Sequence, residues 1–215
     1  MSSPSVTCPS WEYEHVPGSD QVVRVRSVQI IRSIYDAPPP SMVRVLRDTR
    51  RVHGLLFATL TPAGFDYYAG NYRGSSFTCL KDYDVFIRSD PRVGHPPGLV
   101  SRSMSEFSVE IQDTLIEIDR LYRISDSTIP PAAKLIRCVQ LLAAAFVYFL
   151  EIHPYANGNG HMGRLILIAG LRRQGIFITG WPLHPRPADP PYSEAIKQYR
   201  SGNKTPLEHF ILSCL

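Results

Sequence analysis

Within the segment His153-Pro154-Tyr155-Ala156-Asn157-Gly158-Asn159-Gly160-His161-Met162-Gly163-Arg164 lie a general base, a compact anion cradle and a fixed positive charge. Two glycines flanking Asn159 let backbone approach a ligand closely. The helix that starts there presents unpaired N–H groups and the positive end of its dipole, a combination that suits phosphate. His153 stands at the entrance, where an imidazole of ordinary pKa takes a proton from a hydroxyl near neutral pH. Arg164, about one turn into the following helix, reaches back over the loop toward a phosphate. The same residues also fit a plain helix-to-helix turn, with His153 as a C-cap and Arg164 as a surface base, and residue types alone leave both readings open. His153 and His161 are eight apart but lack a third ligand at a metal-binding spacing. His95, His184 and His209 read as surface or capping residues.

Helices must position this segment. From Ser103 to Ile124 the apolar residues Met104, Phe107, Ile111, Leu115, Ile118 and Leu121 are spaced 3, 4, 4, 3 and 3, one stripe of an amphipathic helix. Pro130 and Pro131 open the next helix, apolar all round from Leu135 to Leu150, the mark of a bundle's central helix, and it ends at Ile152. A second apolar helix runs from Met162 to Arg173, carries bases at its C-terminal end and is closed by Gly175. Val43 to Thr59 reads as helical, as do Tyr192 to Arg200 and Pro206 to Cys214. Asp82 to Pro97, β-rich and then punctuated by Ser-Asp-Pro-Arg, glycine and a double proline, predicts a small hairpin. The expectation is an all-α domain over residues 21–215, preceded by a loose Ser/Pro/Gly-rich segment over 1–20.

Composition bounds the function. A chain of 215 residues with 44% hydrophobic and 20% charged residues buries a core without staples. The net charge of +4 is too mild to demand nucleic acid. Seven arginines (Arg24, Arg26, Arg32, Arg44, Arg47, Arg50, Arg51) face only Asp36 and Asp48 between residues 24 and 51, either a solvated helix face or a surface for an acidic partner. Cys8, Cys79, Cys138 and Cys214 show no regular spacing, which predicts neither a zinc site nor a disulfide framework and fits a reducing compartment. No secretory leader is visible, and the longest apolar run, Cys138 to Leu150, is 13 residues, short of a bilayer span.

The loop resembles the signature of the Fic family, HxFx(D/E)GNGRxxR. His153, Gly158, Asn159, Gly160 and Arg164 match, and Tyr155 replaces its Phe. Ala69-Gly70-Asn71-Tyr72-Arg73 is similar to the family's Gly-x-Tyr-Arg segment. Asp84 to Pro97 sits where the family has a target-docking β-hairpin, the flap, and Tyr192 to Phe210 looks like its closing helices. The resemblance spans roughly residues 43–213. It implies a Fic-fold helical bundle with a small β-hairpin, and transfer of AMP from ATP to a Ser, Thr or Tyr hydroxyl of a target protein. In that scheme His153 is the base, the backbone of Gly158, Asn159 and Gly160 is the anion hole, and Arg164 holds the terminal phosphates. The target adds a strand to the flap at Val85, Phe86 and Ile87.

Two departures fall at functional positions. Asn157 replaces the family's acidic Mg²⁺ ligand, and a neutral amide oxygen is the weaker ligand for a hard cation. His161 replaces its first arginine at the donor phosphates. Both changes weaken triphosphate chemistry while sparing the base. They keep open transfer of another phosphate-linked group (UMP, phosphocholine or phosphate) and a catalytically silent binding module. Many members are inhibited by a (S/T)xxxE(G/N) helix. The match here, Ser10 to Glu14, is followed by His15 and bracketed by Pro9 and Pro17, so a separate antitoxin, delivery control or no regulation is the expectation. The implied setting is the cytoplasm, or a host cytosol reached by an effector, without membrane or nucleic-acid partners.

Overall fold

The computed structural model describes residues 7–85 and 90–215. Among them every regular element is a helix: α1 (Ser19–Asp36), α2 (Met42–Arg47), α3 (Arg50–Phe57), α4 (Thr78–Lys81), α5 (Pro97–Arg123), α6 (Pro131–Ile152), α7 (Asn159–Arg173), α8 (Tyr192–Arg200) and α9 (Thr205–Ser213). The all-α expectation holds.

Helix α6 is the axis of the bundle, packed against α5, α7, α8 and α9. Its apolar content explains the position, because a helix without a polar face has to be surrounded. Among the described residues it is the one helix long and apolar enough to cross a membrane, yet Val139, Leu142, Phe146 and Phe149 are wholly buried against its neighbours. Helix α5 turns Met104, Phe107, Ile111, Leu115 and Ile118 onto that core, the stripe read from their spacing. Helix α7 ends in a Schellman motif around Gly175 (φ 76°), where the Ile176 N–H bonds to the Leu171 carbonyl and the Gly175 N–H to that of Arg172.

Four expectations need correction. The helix expected over 43–59 is split at Asp48 and Thr49, because the Asp48 carboxylate accepts the Arg50 N–H (3.0 Å) in an Asx turn that caps a new helix instead of continuing the old one. The N-terminal segment is not loose from residue 8 onward. Trp11 (1% exposed) and Tyr13 lie in the core, the Trp11 indole donates to the Leu60 carbonyl (2.8 Å), and the Tyr68 hydroxyl donates to that of Pro9 (3.0 Å). Cys8 and Cys79 form a disulfide across 71 positions, so the expectation from irregular spacing that no disulfide forms fails for this pair. Chain spacing carries no information about which cysteines the fold brings together.

The predicted hairpin forms no strand among the described residues. Phe86 and Ile87 lie outside them. Val85 belongs to no helix or strand, and the Val93 N–H donates back to the Asp90 carbonyl. The main-chain bonds of this segment go elsewhere: the Gly94 and His95 N–H groups donate to the Glu151 and Ile152 carbonyls at the end of α6. A helix terminus with unpaired carbonyls has captured donors that a hairpin would have used.

The disulfide closes a loop large enough for chain entropy to matter. The Cys8→Ser/Cys79→Ser variant is expected to lose about 2–4 kcal/mol of unfolding free energy. Urea denaturation without reductant measures it, and a loss below about 0.5 kcal/mol would show that the buried Trp11 alone anchors the segment.

Candidate active site

The loop between α6 and α7 is shaped from three sides. Pro154 disfavours helical backbone in the residue before it, and α6 stops at His153, which takes a left-handed conformation (φ 52°). Such a conformation in a non-glycine residue has to be held by its surroundings. Arg73, with no exposed surface, holds it: Nε donates to the His153 carbonyl (2.8 Å), and the terminal nitrogens donate to the carbonyls of Ile152, Tyr83 and His95. Burial lowers the Arg73 pKa to about 10, which leaves it charged at neutral pH beside the negative end of the α6 dipole.

From below, His53 supports the loop. Its ring is wholly buried and stacks on Tyr155 (3.8 Å between centroids). The Gly70 N–H donates to Nδ1, which fixes the proton on Nε2, and Nε2–H donates to the Asn157 carbonyl (2.9 Å). Gly158 (φ 80°) passes directly over this support, where an added Cβ would stand 2.3 Å from the Phe57 ring. Within the loop, the Asn159 amide grips the Tyr155 backbone at both N–H and C=O (2.8 Å each). Asn159 is therefore a brace whose side chain faces inward.

His153, Asn157, Gly158, Asn159, Gly160, His161, Arg164 and Val85 all line one cleft of about 870 Å³. The His153 Nδ1–H points at the Leu150 carbonyl (3.2 Å), which leaves the Nε2 lone pair for the cleft. Burial, with the nearby charges of Arg73 and Arg200, lowers its pKa to about 4. The Gly158 N–H is taken by Asn157 Oδ1 (2.5 Å), so the N–H groups without a protein acceptor at the start of α7 are those of Asn159 and Gly160 among the described residues. The two-residue cradle is narrower than the three expected.

Arg164 is buried (3% exposed) with its Nε and one terminal nitrogen on the Leu183 carbonyl. No carboxylate among the described residues pairs with it, and its other terminal nitrogen lies beside Gly160. A buried guanidinium without an ion pair, next to open amides, presents the donors that an anion requires.

The departures from the signature have their own geometry. Asn157 Nδ2 donates to the Trp11 carbonyl (3.0 Å) and reaches the Glu12 and Glu14 carboxylates (3.1 and 3.5 Å), tying the N-terminal segment across the cleft edge. With its oxygen on Gly158, it presents no ligand to a metal. Among the described residues no three His, Cys, Asp or Glu side chains cluster in a way that fits a cation. Glu14 meets Asn157, and neither Glu12 nor Glu14 forms an ion pair with Arg164. His161 Nε2 is 3.2 Å from Nδ1 of His184, whose Nε2 is 2.9 Å from Asp20. His184 is therefore part of the cleft wall, not the surface residue expected. Burial, with Arg164 and His184 adding to it, holds His161 neutral.

Sequence reading missed His53 and the role of Arg73, both remote from the loop. The one available signal for Arg73 was its place in the Gly-Asn-Tyr-Arg match. No family model matches the chain, and no curated protein matches it.

Three histidines, His53 and His161 buried and His153 half-buried, set the acid response. His53 (pKa about 3), His153 (about 4) and His161 are neutral in the fold, whereas the unfolded chain takes up protons near pH 6.5. Stability is therefore complete above about pH 6.5 and falls as pH drops toward 4, by up to about 1.4 kcal/mol per histidine per pH unit. Urea melts between about pH 7.5 and 4.5 and an NMR titration of the ring carbons check this. A His153 midpoint near 6.5 would contradict the site as described.

Proposed function

We propose that the protein is a transferase that moves a nucleotidyl group, of the AMP type, from a nucleoside triphosphate to a hydroxyl side chain of a target protein, in a Fic-like helical fold. The observation that carries this reading is the convergence, in one cleft, of a neutral imidazole with an open Nε2, two helix-N-terminal amides and the unpaired Arg164. Base and anion site are what in-line attack of a hydroxyl on a phosphate needs.

In this mechanism Arg164 and the Asn159 and Gly160 amides bind the donor phosphates and stabilise charge as the phosphoanhydride bond breaks. His153 Nε2 accepts the hydroxyl proton as oxygen attacks the α-phosphorus, and pyrophosphate leaves. A bound polyphosphate places negative charge beside His153 and moves its pKa back toward neutrality, where it is the better base. Arg73 keeps the imidazole aimed without touching substrate. Divalent metal, where the donor carries it, arrives with the nucleotide. The target docks at the cleft rim near Val85. The Cys8–Cys79 disulfide supports an oxidising compartment over the cytoplasm suggested by cysteine spacing.

His161 favours a second reading, transfer of a different phosphate-linked group. Its neutral ring, bonded to His184, supplies less charge to a β- or γ-phosphate than an arginine would.

The test is incubation of wild type and His153→Ala with ATP, UTP, GTP, CTP and CDP-choline, with and without Mg²⁺ and cell lysate, followed by intact-protein and peptide mass spectrometry. A mass increment present in wild type and reduced by at least about 10²-fold in His153→Ala identifies the transferred group. Equal labelling by both proteins would rule out His153 as base.

Asn157→Asp gives a second test. A carboxylate there faces Glu12 and Glu14, so the N-terminal segment should loosen, seen as faster amide exchange at Trp11 and Tyr13. Unchanged exchange would mean that Asn157 does not hold the segment.

A further inference from the structure

A second, larger cleft of about 1250 Å³ lies between α1, α2, α3 and α5 and shares no lining residue with the candidate active site. Four arginines, Arg44, Arg47, Arg50 and Arg51, line it against a single carboxylate, Asp48. That carboxylate is already consumed by Arg50 (2.6 Å), whose guanidinium also covers the Tyr72 ring. Arg47 donates to Ser108 (3.0 Å). Arg44 and Arg51, both exposed, form no hydrogen bond or ion pair among the described residues. Between the charges the wall is aliphatic: Leu55 is 58% exposed and Val109 60% exposed.

We propose that this cleft binds an acidic, amphipathic peptide segment of a partner protein, with an apolar side chain seated between Leu55 and Val109 and carboxylates on Arg44 and Arg51. The excess of positive charge dictates an anionic partner. The aliphatic wall dictates that the partner also bring apolar side chains, as a helix laid in a groove does. Nucleic acid fits less well, because the one aromatic residue in the lining, Tyr72, already has Arg50 over its ring and offers no free stacking face. A bilayer fits less well because the surface is concave. Guanidinium forks suit carboxylates, and two unpaired ones on an apolar wall gain more from a charged partner than they would in open solvent.

Fluorescence anisotropy tests the proposal on the full chain. The probe is a labelled peptide of about four helical turns, with Glu on one face and Leu on the other. The comparators are the same peptide with Leu changed to Ser, a single-stranded DNA, and phosphatidylserine vesicles. Wild type is expected to bind the amphipathic peptide at least about tenfold more tightly than the Ser version. Arg44→Glu/Arg51→Glu is expected to weaken binding at least about tenfold, and Leu55→Ser/Val109→Ser comparably, each with an unchanged thermal melt. His153→Ala should bind as wild type does, which separates this surface from the transfer reaction. Should Arg44→Glu/Arg51→Glu lose its fold, Arg44→Gln/Arg51→Gln takes its place. Absence of peptide binding, equal binding by the charge-reversed variant, or tighter binding to DNA or vesicles would each overturn the proposal. So would sedimentation in which wild type dimerises through this face and the variant does not.

Discussion

Arg73 is the contact on which the rest of the cleft depends. A guanidinium with no exposed surface carries a large desolvation cost, which is offset only when its donors are filled, and here it bonds to four main-chain carbonyls. Those carbonyls belong to Ile152 and His153 at the end of the central helix, to Tyr83, and to His95. One side chain thus joins three pieces of chain that would otherwise have no reason to meet. It also answers a local problem: the last carbonyls of a long buried helix need donors, and water cannot reach them. His53 performs the matching task from beneath, and its two ring nitrogens are matched to one donor and one acceptor so that a neutral histidine can be buried without loss.

This arrangement makes the loop rigid and the cleft electrically lopsided. The backbone is braced by Asn159, propped by His53 and tied by Arg73, so the amides at the start of α7 point outward into a fixed space. Arg164 brings positive charge into that space and forms no ion pair among the described residues. His153 and His161, by contrast, are stripped of their charge by burial. The cleft is lined by three imidazoles (His153, His161 and His184), three guanidiniums (Arg164, Arg186 and Arg200) and four carboxylates (Glu12, Glu14, Asp90 and Glu194), and within it His153 and His161 are neutral close to the positive Arg164.

The N-terminal segment modifies the site in a way its composition concealed. Trp11 is anchored among Phe57, Tyr68 and His53, and from that anchor Glu12 and Glu14 reach the Asn157 amide. The residue that departs from the Fic signature is thus used for a contact that an acidic residue at the same position would oppose. A neutral amide at position 157 and the acidic segment beside it fit each other electrostatically.

The sequence by itself determined helices α5, α6 and α7 and the loop between the last two, whereas α1 was not legible in it and α2 and α3 were read as one helix. Apolar spacing placed α5, the all-apolar stretch placed α6 at the centre, and Gly158, Asn159 and Gly160 marked where backbone could meet a ligand. These are properties of residues within one or two turns of each other, which periodicity and local backbone preference encode. What only the tertiary structure decided are the pairings across distance: Cys8 with Cys79, Arg73 with His153, His53 with Asn157, His161 with His184, and the N-terminal segment with the cleft. It also decided against a hairpin in the described part of residues 82–97, because the unpaired carbonyls of α6 compete for those N–H groups and no local pattern reports a distant acceptor. The same reason governs the histidines, since a ring's pKa depends on what the fold buries around it and not on the residues beside it in the chain.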